Sequence, residues 1–179
     1  MLEFYAEQVS EVPAPEKGLF FIFATSKSAA GESLKPGDVL EYDICVAEDG
    51  RTDGFFYTPA CGGRPHFLGR SGYDQFGRLQ VEGPGPRGAG VWEHRIVGVG
   101  EHCPAPMGNS IICLIGREPG VYHFYLDNLV LRKASGSVIP LWKDSSHTFP
   151  RWNEVPFMLT PNHKGFTNVR VEAVAGNVD

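Results

Sequence analysis

Aromatic side chains and planar polar side chains gather in the middle of this sequence and in the segment that follows. They are Tyr57, Arg70, Tyr73, Asp74, Gln75, Trp92 and Arg95. A flat aromatic face covers the apolar C–H side of a sugar ring, and planar hydrogen-bonding groups match vicinal hydroxyls. These residue types in one stretch predict a groove that binds a polyhydroxylated ring.

The same residues also have structural interpretations. Asp74 and Arg70 could tie a glycine-rich loop to a sheet through a charge-assisted hydrogen bond. Trp92 and Arg95 are three positions apart on a predicted strand and so point to opposite faces. At least one of that pair then lies in the core or in solvent, away from a shared ligand.

Short strands are the elements that must position these side chains. In DVLEYDICV the apolar residues at 40, 42, 44 and 46 alternate with Glu41, Asp43 and Cys45, which predicts a strand with one core face. Further predicted strands are LFFIFA, GFFYT, PHFLGR, VWEHRIV, SIICLIG, VYHFYLDNLVLRK, SVIPLW, VPFML and TNVRVEAV. Arg117 to Gly120, which contain Pro-Gly, predict a hairpin between SIICLIG and VYHFYLDNLVLRK.

Many short strands, no convincing helical period, and 22 Gly with 14 Pro indicate an all-β fold, a jelly-roll β-sandwich of two antiparallel sheets. We expect one domain over residues 1–179. Long loops fall within 51–90, where binding is first sought. The tail 134–179 has no separate assignment.

The charge and the apolar runs of the chain limit the classes of partner that it is expected to bind. The formal net charge is −5, and Lys and Arg are scattered, so phosphate-mediated nucleic-acid binding is not expected. No run of 18 apolar residues exists, which argues against a membrane partner. The opening residues lack the features of a secretory signal, so we expect either a cytoplasmic protein or a domain excised from an exported one.

Cysteine and histidine spacing favours no local metal site. Cys45 and Cys113 fall in apolar runs and are expected to be core thiols, whereas Cys61 and Cys103 fall in predicted loops. One or two disulfides are an alternative if the compartment is oxidising. The six histidines show no i, i+4 or His-x-His pair.

Three segments, LKPGDVLEYDICV, GRSGYDQFGRLQVEG, and VWEHRIV followed by VYHFYLDNLVLR, resemble in order and spacing the jelly-roll carbohydrate-binding-like modules of bacterial glycan-processing proteins. The resemblance covers Leu34 to Arg132. It implies a lectin-like, non-catalytic, sugar-binding role that requires no cofactor.

The resemblance also implies that Asp127 helps to hold a structural calcium ion, with Glu3, Glu7 and Glu16 as candidate partners. Hydrogen bonds to loop amides would satisfy the carboxylate equally well. The metal-free alternative is favoured, because no local run of Asp and Asn marks a calcium loop.

Two rival functions remain open. One is a structural or protein-interaction domain, with a protein partner or a homo-oligomer in place of a sugar. The other is a glycan-active hydrolase or lyase, for which the available carboxylates are Glu41, Asp74, Glu93 and Asp127.

Overall fold

The computed structural model describes residues 1–8, 19–24, 31–50, 55–61, 64–65, 73–77, 88–98, 107–116, 119–141, 158–159 and 166–174. Every regular element in these ranges is a β-strand, and every strand pair is antiparallel. This confirms the all-β prediction. Over the same ranges no helix is long and apolar enough to cross a membrane.

The strands are short except in the second half of the chain. They are β1 Leu2–Gln8, β2 Leu19–Ala24, β3 Val39–Val46, β4 Phe55–Cys61, β5 Arg64–Pro65, β6 Glu93–Gly98, β7 Met107–Gly116, β8 Gly120–Arg132, β9 Val138–Pro140, β10 Met158–Leu159 and β11 Phe166–Ala173.

Two sheets contain these strands. The six-stranded sheet runs in the order β11-β1-β8-β3-β6, and β9 pairs with β8 as well. The thirteen-residue β8 accommodates both neighbours because β1 pairs with residues 120–126 and β9 with residues 130–132. The five-stranded sheet runs in the order β10-β2-β7-β4-β5.

The predicted hairpin between β7 and β8 is wrong. β7 pairs with β2 and β4 in the five-stranded sheet, whereas β8 lies in the other sheet between β3 on one side and β1 and β9 on the other. A short Pro-Gly connection allows a chain reversal but does not require the two strands to pair. Here β7 pairs with β2 and β4, and β8 pairs with β1 and β3, all of which lie far away in sequence.

The alternation predicted for β3 is confirmed. Leu40, Tyr42 and Ile44 are each 1–2% exposed, and the register places them beside the buried Leu131 and Leu126 of β8. On the far side of β8 the rings of Phe4 and Phe124 stack in parallel with centroids 4.5 Å apart. Each fully buried apolar side chain of this size contributes about 1.5–3 kcal/mol to folding. These residues form the apolar face of the six-stranded sheet.

Strand β1 has no counterpart among the predictions, although Phe4 and Ala6 alternate with Glu3, Tyr5 and Glu7 in the expected period of two. In the tail, β9 and β11 join the six-stranded sheet, where β11 pairs with β1. β4 ends at Cys61, so this cysteine lies on a strand and not in a loop. Most of the predicted strand PHFLGR lies outside the described residues.

Candidate ligand-binding face

Residues 73–77 cover the outer edge of β6. The amide of Gly98 donates to the carbonyl of Tyr73 over 3.0 Å. The side chain of Gln75 replaces further strand backbone, since its Nε2 donates to the carbonyl of His94 at 2.6 Å and its Oε1 accepts from the amide of Ile96 at 2.8 Å. An edge strand that would otherwise present open hydrogen-bonding groups is thereby closed.

A buried arginine anchors this edge segment (residues 73–77). Arg95 lies opposite Tyr42 on the apolar side of the sheet, where only 1% of its side chain is exposed. Its guanidinium binds the carboxylate of Asp74 directly and that of Glu93 at 3.2 Å, and both carboxylates are buried. The ring of Phe76 lies 5.9 Å from the guanidinium carbon, in cation–π range. Buried charges persist only when they are paired, so this ion cluster fixes the segment to the sheet.

The anchored segment presents one aromatic ring on each side of the sheet. Tyr73 is 57% exposed and Phe76 is 51% exposed. Asp74 forms a bridge with Val97 on the apolar side, so by alternation Tyr73 belongs to the opposite, polar side, whereas Phe76 lies with Arg95. Three predicted ligand residues, Asp74, Gln75 and Arg95, therefore hold the segment that carries Tyr73 in place on the sheet.

The remaining predicted ligand residues are more scattered. Trp92 is half-buried directly before β6, and within the described part of the chain its buried indole N–H has no hydrogen-bond partner. Tyr57 lies on β4 of the other sheet, with its side chain outside the description. Arg70 lies outside the described residues.

The polar side of the six-stranded sheet carries a row that begins at Tyr73. Strand register places Tyr73 beside Gly98, Gly98 beside Val39, and Val39 beside Arg132. Gly98 has no side chain, so in the register of the described strands only backbone lies between Tyr73 and Val39. The row joins an aromatic ring at the sheet edge to a guanidinium on β8.

Arg132 and Glu41 form a two-pronged pair beside this row. The guanidinium donates from Nε to Oε1 at 2.6 Å and from a terminal nitrogen to Oε2 at 2.8 Å. The hydrogen bond from Arg132 lowers the pKa of the Glu41 carboxyl, and Glu41 in turn raises the pKa of the guanidinium. Both groups therefore stay charged and planar on a face where Arg132 is 46% exposed.

A second network spans β6, β3 and β8. Nδ1 of His94 lies 2.7 Å from Oδ1 of Asp43, and Nδ2 of Asn128 donates to Oδ2 at 2.7 Å. Asn128 lies in a β-bulge, where three steps along β8 match two along β3, and it has a left-handed φ of 49°. The backbone amide of Asn128 donates to Asp127 at 2.9 Å. His94 is held by one nitrogen, and 53% of its side chain is exposed.

The third group of the polar face is a set of rings at the other end of β8. His123 lies between two carboxylates, with Nε2 2.8 Å from Oε1 of Glu3 and Nδ1 2.8 Å from Oδ1 of Asp49. Tyr5 meets the imidazole edge-on at 5.3 Å, and Tyr125 is tilted against it at 5.1 Å. The rings of Tyr5, His123 and Tyr125, hereafter the ring cluster, are thus held in one arrangement.

Burial and negative charge keep Tyr125 protonated. Burial is the main cause that raises its pKa, and the Glu3 and Asp49 carboxylates raise it further. The phenol is therefore a neutral ring with a donor hydroxyl. On the adjacent strand, burial raises the pKa of the Cys45 thiol, which is free and buried as predicted.

Asp38 fixes the ends of β3 and β8 next to the Glu41–Arg132 pair. Its burial raises the carboxyl pKa, but hydrogen bonds from Lys133 at 2.7 Å and from the amides of Ala134 and Lys35 outweigh that effect, and the net pKa lies below its ordinary value. The ammonium of Lys133 also donates to the carbonyl of Ser33 at 2.6 Å. This joint keeps the exposed pair in register.

The residues named for calcium have other contacts. Asp127 accepts from Asn128, and its Oδ2 lies 4.0 Å from the amino group of Met1. Glu3 contacts His123, Glu7 binds the Tyr5 hydroxyl at 2.7 Å, and Glu16 lies outside the description. In the described ranges no three His, Cys, Asp or Glu side chains are arranged to hold a metal ion. Calcium binding stays a prediction.

Comparison with protein-family models, with curated proteins and with solved structures finds no match for this chain.

Sequence reasoning did not assemble the polar face. The sequence singles out Glu3 and the histidines only in connection with a metal site, Asp127 for calcium or as a hydrolase carboxylate, and Tyr5, Asp49 and Tyr125 for no binding role. A signal for them exists, since His123, Tyr125 and Asp127 are alternate residues of one predicted strand. What the sequence hides is the neighbouring strand, because β1 lies about 120 residues from its partner.

Proposed function

We propose that this chain is a jelly-roll β-sandwich module that binds carbohydrate without transforming it, on the polar face of its six-stranded sheet. The alternative of a structural or protein-interaction domain is an outcome of the test given below.

The pairing of strands supports the jelly-roll part of the proposal. β1 pairs with β8, β2 with β7, β3 with β6 and β4 with β5, so strands β1 to β8 pair as one long hairpin in which the first strand meets the eighth. Rolling up such a hairpin brings β3 against β8 and β4 against β7, and both pairs are present. Successive strands from β1 to β4, and again from β5 to β8, then fall in alternate sheets, as in jelly rolls.

The observation that carries the functional proposal is the exposed ring of Tyr73 on an edge segment that is fixed to the sheet. Ordering a loop on binding costs free energy, so a ring already held in place binds a sugar more tightly than one on a free loop. The buried Arg95 cluster supplies that order, and Gly98, which has no side chain, lies beside Tyr73 in the strand register.

The planar groups of the face complement the ring. The Glu41–Arg132 pair and the Asp43–His94–Asn128 network place fixed donors and acceptors within a few strands of Tyr73. Vicinal hydroxyls match such planar groups. Asp74 and Glu93 are buried against Arg95, which suits them to a structural role better than to acid–base chemistry in a cleft.

The test is a glycan-array screen followed by calorimetry on the glycans that bind. We expect Tyr73→Ala to weaken binding about tenfold, equivalent to about 1.4 kcal/mol, and Arg132→Ala to weaken it similarly. Phe76→Ala is the matched control, since Phe76 is a comparably exposed ring of the same segment on the other side of the sheet. It should bind as the wild type does.

Absence of binding across a broad panel would refute the proposal and favour a protein-interaction role. Equal losses in the Tyr73 and Phe76 variants would also contradict it, because the effect would then come from the segment as a whole.

A further inference from the structure

The polar face has a second aromatic group, the ring cluster, which lies far from Tyr73. The row of Tyr73 crosses β3 at Val39, whereas Tyr125 is paired with Cys45, six residues further along the same strand. At a rise of about 3.3 Å per residue the two rows are about 20 Å apart along the strands. Three strand spacings separate them laterally, about 14 Å.

The sheet surface between Tyr73 and the ring cluster is polar. It contains the Glu41–Arg132 pair and the network of Asp43, His94 and Asn128, each already fixed by hydrogen bonds of 2.6–2.8 Å. The ring cluster at the far end is likewise fixed, because two carboxylates hold His123 between Tyr5 and Tyr125. A single sugar ring is too small to contact both Tyr73 and the ring cluster, which the strand register places about 25 Å apart.

We propose that the ligand is an extended polysaccharide that lies diagonally across this face, over about 25 Å, with one end on Tyr73 and the other on the ring cluster. This inference rests on the proposed function and adds the length of the ligand and a second contact at Tyr125. The hydrogen-bonding groups between Tyr73 and the ring cluster bind the hydroxyls of the intervening sugar units.

Charge restricts the class of polysaccharide. Among the described side chains of the polar face, the carboxylates of Glu3, Glu7, Glu41, Asp43 and Asp127 outnumber the permanent cation Arg132. The whole chain carries a formal charge of −5. Like charges repel, so an uncharged polysaccharide fits this face and a polymer of uronic acids does not.

The test measures affinity against chain length for cello-, xylo- and manno-oligosaccharides from the disaccharide to the hexasaccharide, with polygalacturonate as the charged comparison. In the series that binds, we expect the hexasaccharide to bind at least about tenfold more tightly than the disaccharide. Tyr125→Ala should remove that gain and leave disaccharide binding unchanged, whereas Tyr73→Ala should weaken both. Tyr125→Phe keeps the ring and should retain the gain.

A measurement on the unaltered chain guards against variants that fail to fold. In NMR titrations, the backbone amides of residues 121–125 should shift with the hexasaccharide and not with the disaccharide. Equal affinities at all lengths, with no shifts at 121–125, would overturn the extended ligand while Tyr73-dependent binding stands. Binding of polygalacturonate as tight as that of the neutral hexasaccharide would overturn the charge argument. If Tyr73→Ala leaves every affinity unchanged, the proposed function itself fails.

Discussion

At the residue scale the arginine at position 95 defines how the site is held. A guanidinium that is 1% exposed has lost its hydration, and Asp74 and Glu93 replace it from two different segments of the chain. Such a cluster contributes less net stability than its contacts suggest, because all three charges had to be desolvated. What it provides is position, since only one arrangement of residues 73–77 satisfies all three groups.

Arg95→Met is expected to lower the free energy of unfolding by about 3–5 kcal/mol, because it leaves two buried carboxylates without their cation. Urea denaturation followed by circular dichroism measures the loss. Combining it with Asp74→Asn and Glu93→Gln should restore much of the stability, because the Arg95 cluster then contains no buried charge. Arg132→Met, at the exposed pair, is the control and should unfold close to the wild type. A single Arg95→Met variant as stable as that control would contradict the cluster.

The residue types of this cluster were foreseen from the sequence, but its partners were not. Asp74 and Arg95 were both singled out, yet the partner suggested for Asp74 was Arg70, which is close in sequence. The observed partner is 21 positions away and is reached only because residues 73–77 pair with the edge of β6. Sequence spacing does not encode that register.

At the element scale β8 is the strand on which the six-stranded sheet depends. It pairs with three strands, contributes Tyr122, Phe124 and Leu126 to the apolar face, and carries His123, Tyr125 and Arg132 on the polar face. The bulge at Asn128 adds one residue to β8, and on both sides of the bulge the side chains of β8 still share a face with their partners on β3. β8 can therefore pair with β3 on one side and with its other partner strands on the other. Asparagine tolerates the left-handed conformation better than most residues.

Asn128→Val is expected to lower the free energy of unfolding by about 1–2 kcal/mol relative to Asn128→Gly. Both variants lose the hydrogen bond to Asp43, so their difference isolates the backbone cost of a β-branched residue at φ 49°. Chemical denaturation of the two purified variants gives the comparison. If valine is tolerated as well as glycine, the bulge does not hold this conformation in solution.

The strands themselves were largely predictable, because a period of two reports one buried face. DVLEYDICV and VYHFYLDNLVLRK were found in this way, and both are strands. β1 was missed because Glu3 and Glu7 make its polar face resemble a surface loop. The β7–β8 hairpin was wrong because turn residues report a reversal of the chain and not the sheet to which each arm belongs.

At the scale of the whole molecule, the apolar face of the six-stranded sheet needs a cover, and sheets in two-layer β domains bury such faces against each other. In the proposed jelly roll the five-stranded sheet is that cover, since β2, β4 and β7 alternate along the chain with strands of the first sheet. A shared core makes two layers unfold together.

Leu126→Ala is therefore expected to destabilise both sheets, although Leu126 belongs only to the six-stranded one. Removing this fully buried side chain should cost about 2–5 kcal/mol through lost burial and the cavity left behind. Native-state hydrogen exchange of backbone amides is the measurement, with β3 reporting on one sheet and β7 on the other. If the sheets share a core, protection in β7 falls by the same free energy as in β3. If protection in β7 is unchanged while that in β3 falls, the sheets are independent and the sandwich is excluded. Val138→Ala, at an exposed position on the short strand β9, controls for nonspecific effects and should alter neither sheet, because little apolar surface is removed from a core.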